Sequence, residues 1–276
     1  MLPENTDIVI QYEWISIENG KASLNFEAFD KESLSHFKNI QAEGFDCKKD
    51  TLVLAKGIKI CSADIGVLAS VGKANVLVKK LPKIMIVSTG DEIVEVDEKP
   101  LNYQIRRSNV WTLVALLKEN GITAEADHIK DNKEQLKAKI ASHLENYDVL
   151  LFSGAVSKGK FDFLPEILEE LGVKKLFHKV KQRPGKPFWF GKKANKTVFA
   201  FPGNPVSTYV ACLKYFLPWF NKSLGFQTKE IYATLAEDFS FKPNLYYFLS
   251  VNIQEENGNR IAFPIKGKGS GDLVNL

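Results

Sequence analysis

The chain has 276 residues, 45% of them hydrophobic and 25% charged, which is enough apolar material to bury at least one complete core. Its 37 Lys and Arg residues barely exceed its 33 Asp and Glu residues, and no basic stripe with interleaved aromatic residues occurs, which argues against nucleic-acid binding. Three scattered cysteines, no secretory signal pattern and no apolar stretch of membrane-spanning length favour a reduced, cytoplasmic protein without membrane contact.

Residues 1–82 read as short strands and turns around one helix, and we interpret them as a partial linker and β domain. The helix is predicted over Ala63–Val71, with Ser62 as its N-cap residue and Gly72 as its stop. Strands are predicted at Ile8–Gln11, Trp14–Ile17, Ala22–Phe26 and Thr51–Leu54.

Residues 83–224 alternate between strand-like and helix-like segments. Apolar residues at helical spacing predict a helix capped by Ser108, one that begins after Asn132, and one that opens at Pro205. The buried stripe of that last helix is predicted to consist of Tyr209, Leu213, Phe216 and Phe220. The strands are predicted at Ile84–Val87, Tyr147–Phe152, Lys174–Val180 and Val198–Phe201. This alternation predicts an α/β domain with a central, mostly parallel sheet and helices on both faces.

Residues 225–276 return to strand-like segments. Strands are predicted at Ile231–Leu235, Tyr246–Ile253 and Arg260–Phe263, which indicates a small C-terminal β domain.

Three glycine-containing loops each follow or join one of the predicted strands. They are Ser153–Asp162, Arg183–Pro187 and Pro202–Ser207. In an open α/β sheet, ligands bind at the carboxyl ends of the strands, and glycine lets backbone N–H groups approach an anion closely. Positive side chains flank these glycines at Lys158, Lys160, Arg183 and Lys186. The loops therefore predict a site for an anionic small molecule.

Acidic residues also follow the predicted strands. Asp91 and Glu92 come after the first strand of the sheet, Asp131 after the second and Asp162 after the third. If these strand ends share one cleft, the carboxylates can hold Mg²⁺, which prefers oxygen ligands. From the residues alone, Asp131 can equally be the N-cap of the helix that follows it. Asp162 can likewise cap the helix that begins near Leu164.

Four further motifs join the three loops in one recognisable set: Ser88–Glu92, Arg107–Asn109, Lys130–Asn132 and Gly269–Gly271. Together they resemble the molybdopterin molybdotransferase family, which includes bacterial MoeA and the E domain of gephyrin-type proteins. The resemblance implies insertion of molybdenum into adenylylated molybdopterin, with molybdate and adenylylated molybdopterin as substrates, Mg²⁺ as cofactor and release of AMP.

The resemblance also implies roles for particular residues. The catalytic group is Glu92, Asp131, Asp162, Arg183 and Lys186, of which the three acids bind Mg²⁺. The residues expected to bind molybdopterin are Thr89, Gly90, Asp91, Ser153, Gly154, Ser157, Gly159, Pro187, Pro202, Gly203, Asn204, Ser207 and Ser270.

Several features depart from the family pattern. The family usually has glycine where Ala155 stands and an apolar residue where Lys158 stands; it often has arginine where Ser250 stands. The family's N-terminal portion, with a catalytic aspartate, has no counterpart here, so we expect a chain that begins in mid-protein and binds better than it turns over. The resemblance implies a homodimer for the full-length protein.

Other functions fit less well. The enzyme that adenylylates molybdopterin and CinA-type proteins share the α/β domain, but they lack the loops Arg183–Pro187 and Pro202–Ser207. A dinucleotide-binding oxidoreductase is disfavoured because no Gly-x-Gly-x-x-Gly follows the strand that ends at Val87. A gephyrin-type scaffold without turnover remains an alternative, and binding of AMP or adenylylated molybdopterin distinguishes it from the enzyme.

Overall fold

The computed structural model describes residues 2–25, 39–154, 163–227, 230–265, 267, 269 and 271–275. The chain divides into two compact units, Met1–Leu77 and Val78–Leu276. The predicted domain boundaries after residues 82 and 224 stay predictions. Within the described part of the chain, no helix combines the length and the apolar character needed to cross a bilayer.

The first unit contains one β-hairpin and one helix. In the hairpin, β1 (Ile15–Glu18) pairs antiparallel with β2 (Lys21–Leu24). The predicted strands at Ile8–Gln11 and Thr51–Leu54 are wrong, because neither described segment forms a strand. A run of β-forming residues becomes a strand only where a partner strand is available to it.

Helix α1 (Ser62–Ser70) begins one residue earlier than predicted. Cys61, and not Ser62, is the N-cap residue, and its backbone N–H donates to Asp64 Oδ2 at 2.8 Å. Ser62 therefore does not have the predicted capping role.

The second unit begins at Val78 and contains the central sheet. In chain order its elements are β3 (Ile84–Thr89), β4 (Ile93–Val94), β5 (Ile105–Arg106), α2 (Ser108–Glu119), β6 (Glu125–Ile129), α3 (Lys133–Asn146), β7 (Val149–Ser153), α4 (Leu164–Glu170), β8 (Lys174–His178), β9 (Gln182–Arg183), β10 (Trp189–Lys193), β11 (Lys196–Phe201), α5 (Pro205–Ala211), a π-helical segment (Cys212–Phe216), α6 (Leu217–Ser223), β12 (Thr234–Leu235), β13 (Tyr246–Tyr247), β14 (Val251–Glu256) and β15 (Asn259–Pro264).

The central sheet has six strands in the order β6-β3-β7-β11-β10-β8. The first four run parallel, and β10 runs antiparallel to both of its neighbours, so the predicted mostly parallel sheet is confirmed. The sequence did not predict the hairpin of β10 and β11, which turns at Ala194 with a positive φ of 49°.

The sheet is covered on both faces, as predicted. Side chains alternate along a strand, so Ile84 and Ile86 of β3 pack with α2 and with the helical segment from α5 to α6. Met85 and Val87 point the other way and pack with α3 and α4. Every residue of β3 and β7 is buried, as expected for central strands enclosed by two helical layers.

The last helix of this α/β region is interrupted by the π-helical segment. The predicted stripe is only partly buried: Phe216 and Phe220 are in the core, whereas Leu213 is 37% exposed and Cys212 takes a core position. The physical reason is that a π-helical turn holds more residues than an α-helical turn, which shifts the buried face along the sequence.

The C-terminal residues form a three-stranded sheet in the order β12-β15-β14. The predicted strand at Tyr246–Ile253 is split, because β13 leaves this sheet and pairs in parallel with β9. The C-terminal segment is thereby fastened to the loop that carries Arg183.

Candidate functional site

A cleft of about 430 Å³ lies at the carboxyl ends of β3, β7 and β11 and at the N-terminal end of α2. We call it the strand-end cleft. The chain runs from β3 to β6 on one side and then to β7 on the other, so this is the point where the strand order reverses and where ligands bind in open α/β sheets. The predicted site residues that line it are Thr89, Gly90, Glu92, Asp131, Ser153, Gly154, Gly203 and Asn204.

Glu92 lines this cleft because the chain turns at Gly90, directly after β3. Gly90 has a φ of +128°, a conformation that disfavours other residues, and a Cβ at this position would overlap the Glu92 carboxylate. The Gly90 N–H donates to Ile129 O at 3.2 Å, and the Ile105 N–H donates to Glu92 O at 2.8 Å. Glu92 is therefore held over the end of β3 by backbone hydrogen bonds on both sides.

Asp131 lines the same cleft from the end of β6. Its backbone N–H donates to Asp91 Oδ1 at 3.2 Å, so Asp91 shapes the loop although it does not line the cleft. Asn132 is the N-cap residue of α3, since its Oδ1 accepts from the Gln135 N–H at 3.0 Å. The alternative that Asp131 is the N-cap residue of α3 is therefore wrong.

The loop after β11 is fixed by two polar side chains. Asn109 Nδ2 donates to Gly203 O at 2.7 Å, and Thr208 Oγ1 donates to Pro202 O at 2.5 Å. Gly203 lies against Gly154, because β7 and β11 are parallel neighbours and their loops leave the sheet side by side. The predicted residues Ser153, Gly154 and Gly203 thus meet in space.

The predicted site residues did not include Arg107, which also lines the cleft. Its side chain is 7% exposed, and its guanidinium donates to Glu95 Oε1 at 2.8 Å and to Asp127 O at 2.6 Å. Arg107 therefore fastens the segment that carries Glu92 to strand β6. It is also the N-cap residue of α2, so the predicted capping role of Ser108 is wrong.

Beside Arg107, Ser88 Oγ lies 3.0 Å from His128 Nδ1. Burial lowers the pKa of His128, and the Arg107 charge lowers it further. Burial acts to raise the pKa of Asp127, but hydrogen bonds from Lys139, His143 and the His128 N–H outweigh it and hold that pKa below its ordinary value. These shifts leave a neutral imidazole and a charged carboxylate near the cleft at neutral pH.

A second cavity, of about 500 Å³, lies between the loop after β9, the start of α5 and the C-terminal segment. We call it the turn cavity, and we call Arg183–Pro187 the cationic turn. The predicted site residues that line it are Arg183, Lys186, Pro187, Pro202, Asn204 and Ser207. Ser250, where the family often has arginine, lines it too.

The start of the cationic turn is held by backbone hydrogen bonds from β13 and the residue after it. The Phe248 N–H donates to Arg183 O at 2.9 Å, and the Tyr246 N–H donates to Lys181 O at 3.0 Å. Gly185 is buried with a φ of +88°, and the Arg183–Pro184 peptide bond is cis. Arg183 and Lys186 are exposed, so their charges face the turn cavity while the glycine between them packs inward.

The sequence predicted one cleft for the acidic residues and the cationic turn, whereas the described residues form two cavities that meet at Asn204. Glu92 and Asp131 belong to the first and Arg183 and Lys186 to the second. Among the described residues, no group of three or more His, Cys, Asp or Glu side chains is arranged to hold a metal. The remaining predicted site residues lie outside the described residues: Ser157, Gly159, Asp162 and Ser270.

Both parts of the chain match known protein families. Residues 85–222 match the family described as "Probable molybdopterin binding domain". Residues 1–72 match the family described as "MoeA N-terminal region (domain I and II)".

Individual relatives agree with these matches. A molybdopterin molybdenumtransferase from Synechocystis is 35% identical over the whole chain, and one from Bacillus subtilis is 30% identical over the whole chain. The crystal structure of a molybdopterin biosynthesis MoeA protein from Pyrococcus horikosii superposes on the whole chain with a TM-score of 0.74 and 29% identity. The chain spans 68%, 64% and 66% of the lengths of these three proteins.

Proposed function

This chain belongs to the MoeA family of molybdopterin molybdenumtransferases, and we propose that it inserts molybdenum into adenylylated molybdopterin with release of AMP. The observation that carries the proposal is the pair of cavities that meet at Asn204, one lined by carboxylates and hydroxyls and the other by two cations. One substrate is a nucleotide-linked pterin and the other is a small oxyanion. One cavity lined by carboxylates and hydroxyls, next to one lined by cations, can hold these two substrates side by side.

The strand-end cleft binds the phosphate groups of adenylylated molybdopterin in this proposal. Ser153 and Thr89 offer hydroxyl groups, and Gly154 places no side chain between the ligand and the backbone. The N-terminal end of α2 at Ser108 adds N–H groups and the positive end of the helix dipole.

Mg²⁺ fits the acidic side of the same cleft. Mg²⁺ usually keeps several waters and takes only one or two carboxylates together with substrate phosphates, so Glu92 and Asp131 form an adequate protein ligand set. Asp162 remains the proposed third ligand. When bound, Mg²⁺ neutralises charge on the phosphate oxygens, while the two carboxylates fix its position at the ends of β3 and β6.

The turn cavity binds molybdate in this proposal. The guanidinium of Arg183 offers two parallel N–H donors, and Lys186 adds an ammonium group from the same short turn. Prolines at 184 and 187 restrict the backbone between and beside them, so little conformational entropy is lost on binding. Ser207 supplies a hydroxyl group, and Asn204 supplies an amide at the boundary with the strand-end cleft.

Binding of AMP and of adenylylated molybdopterin tests this function first, and turnover tests it second. In the presence of Mg²⁺ we expect both ligands to bind, and we expect AMP release to require molybdate. A gephyrin-type scaffold binds neither ligand and releases no AMP. A molybdopterin-adenylylating enzyme instead consumes ATP, so ATP with unmodified molybdopterin is the control substrate. We further propose a cytoplasmic location and a homodimer for the full-length protein.

A further inference from the structure

Gln182 is a buried polar residue directly before the cationic turn, and its side chain is 2% exposed. Its amide nitrogen Nε2 lies 3.0 Å from Pro184 O and 3.5 Å from Gly185 O. Carbonyl oxygens only accept hydrogen bonds, so the atom that faces them must be the amide nitrogen. Gln182, which also lines the turn cavity, therefore ties two carbonyl oxygens of the turn to one buried amide.

The other end of the same amide contacts the π-helical segment. With Nε2 facing the turn, Oε1 of Gln182 faces Tyr215, whose hydroxyl donates to it. Burial raises the pKa of Tyr215, so this hydroxyl keeps its proton and remains a donor. The Tyr215 ring stacks on Phe188 with ring centroids 4.4 Å apart, which fixes the direction of the hydroxyl.

The π-helical segment also contacts a second residue that lines the turn cavity. Lys214 Nζ lies 5.4 Å from the ring centroid of Phe248, which lines that cavity. Single π-helical turns within α-helices are frequent at functional sites, where they re-aim side chains. Here two consecutive side chains of one such turn, Lys214 and Tyr215, contact Phe248 and Gln182, which both line the turn cavity.

We propose that Gln182 and Tyr215 are positioning residues for the cationic turn: the Gln182 amide, itself held by Tyr215, engages the carbonyl oxygens of Pro184 and Gly185, so that Arg183 and Lys186 meet an oxyanion without a free carbonyl dipole opposing them. A carbonyl oxygen that faced the cavity would repel an anion and weaken both cations. The inference rests on the proposed function in one respect, namely that this turn binds an oxyanion.

Three variants test the positioning role, with molybdate as the probe. Gln182→Met keeps the side-chain volume but removes the amide, and Tyr215→Phe removes only the hydroxyl. Tyr209→Phe is the matched control, because Tyr209 lies on the same helix against the same core and its hydroxyl has no partner among the described residues. Calorimetric titration should show molybdate affinity about tenfold weaker in Gln182→Met and about three- to tenfold weaker in Tyr215→Phe. The reason is that a smaller fraction of the molecules has the turn in the conformation that binds molybdate. Tyr209→Phe should stay within about twofold of wild type.

Hydrogen exchange of the Val180 and Phe248 amides, which donate to Lys186 O at 2.8 Å and to Arg183 O at 2.9 Å, supplies a second readout that needs no ligand. We expect faster exchange in Gln182→Met and Tyr215→Phe than in Tyr209→Phe, at temperatures where melting curves show every variant folded. Unchanged exchange overturns the inference. So does faster exchange with unchanged molybdate affinity, because the pair would then have only a structural role.

Lys186→Ala separates this inference from the proposed function. If Lys186→Ala loses molybdate affinity but Gln182→Met and Tyr215→Phe keep it, the positioning role fails and the oxyanion site stands. If Lys186→Ala binds molybdate as well as wild type does, the oxyanion site itself fails. Hydrogen exchange then decides alone whether Gln182 and Tyr215 order the turn.

Discussion

The strand-end cleft and the turn cavity share Asn204 but are built in different ways. The strand-end cleft is made where neighbouring parallel strands end, so its residues are positioned by the sheet itself. The turn cavity is made by a short loop that pairs with a strand far away in the sequence, and Gln182 holds that loop from within. A substitution that destabilises the central sheet should therefore disrupt both cavities. A substitution within one loop should disrupt only the cavity that this loop lines.

The largest expected effect comes from the centre of the sheet. Phe152 is fully buried in β7, between β3 and β11, and packs against the helices α3 and α4. Phe152→Ala should lower the free energy of unfolding by about 3–5 kcal/mol, the usual cost of such a cavity in a core, as measured by urea denaturation. Ile231→Ala, at a side chain that is 74% exposed, is the control and should change little. A loss below about 1 kcal/mol for Phe152→Ala would show that this side chain is not part of a close-packed core.

A smaller effect, confined to one cavity, is expected at Gly90. Gly90→Ala places a methyl group against the Glu92 carboxylate at a φ of +128°, and strain of this kind costs about 1–3 kcal/mol. Gly121→Ala is the matched control, because Gly121 has a φ of +72° and open space around it, so only the backbone cost of about 1 kcal/mol remains.

The two cavities should respond differently to Gly90→Ala. Displacement of Glu92 should weaken Mg²⁺-dependent AMP binding, and molybdate binding at the turn cavity should stay as in wild type. Calorimetry with both ligands checks this. Equal loss of AMP and molybdate affinity would mean that the two ligands do not bind to independent cavities.

The smallest effect is a pH dependence of stability on the side of the strand-end cleft. The pKa of His128 is lowered from 6.5 in the folded protein, so below about pH 6.5 the unfolded chain binds a proton that the folded chain does not. The contribution of His128 to the free energy of unfolding is therefore fully present above pH 6.5. It is lost as the pH falls from 6.5 toward the pKa of His128 in the folded protein. The slope should stay well below about 1.4 kcal/mol per pH unit, the limit for one proton, because the imidazole is partly solvated.

His128→Gln should remove this slope between pH 6.5 and 5, as measured by urea denaturation at several pH values. Asp127, whose pKa is lowered from 3.8, acts only at more acidic pH and does not confuse the comparison. An unchanged slope in His128→Gln would assign the titration to another group.

The sequence predicted the strand-end cleft better than the turn cavity, for a physical reason. Parallel strands end at the same edge of a sheet, so once alternating strands and helices were recognised, Glu92, Asp131 and Ser153 were expected to converge. The parallel pairing of β9 with β13 depends on two-residue strands that leave no periodic signal. The sequence therefore predicted Arg183 and Lys186 as site residues without predicting the strand pairing that brings the C-terminal segment beside them.

Buried polar residues were missed for a related reason. Arg107 belongs to a motif that the resemblance used, but neither its burial nor that of Gln182 was predicted, because polar side chains are usually exposed. Only the fold supplies their partners, Glu95 and Asp127 for the first and Tyr215 and Pro184 for the second. The predicted buried stripe of the last helix was partly wrong, because the sequence carries no recognisable signal for a π-helical turn.

Titration of molybdate into Lys186→Ala and Lys192→Ala tests most directly the claim that the turn cavity holds the oxyanion. Lys192 is an exposed lysine of β10 that lines neither cavity, so its variant controls for loss of a surface charge. Lys186→Ala should weaken molybdate binding by about 1.5–3 kcal/mol, the range for a hydrogen bond to a charged group, while circular dichroism stays unchanged. Lys192→Ala should bind as wild type does. Equal molybdate affinity in Lys186→Ala and wild type would contradict the claim and remove the cationic turn from the site.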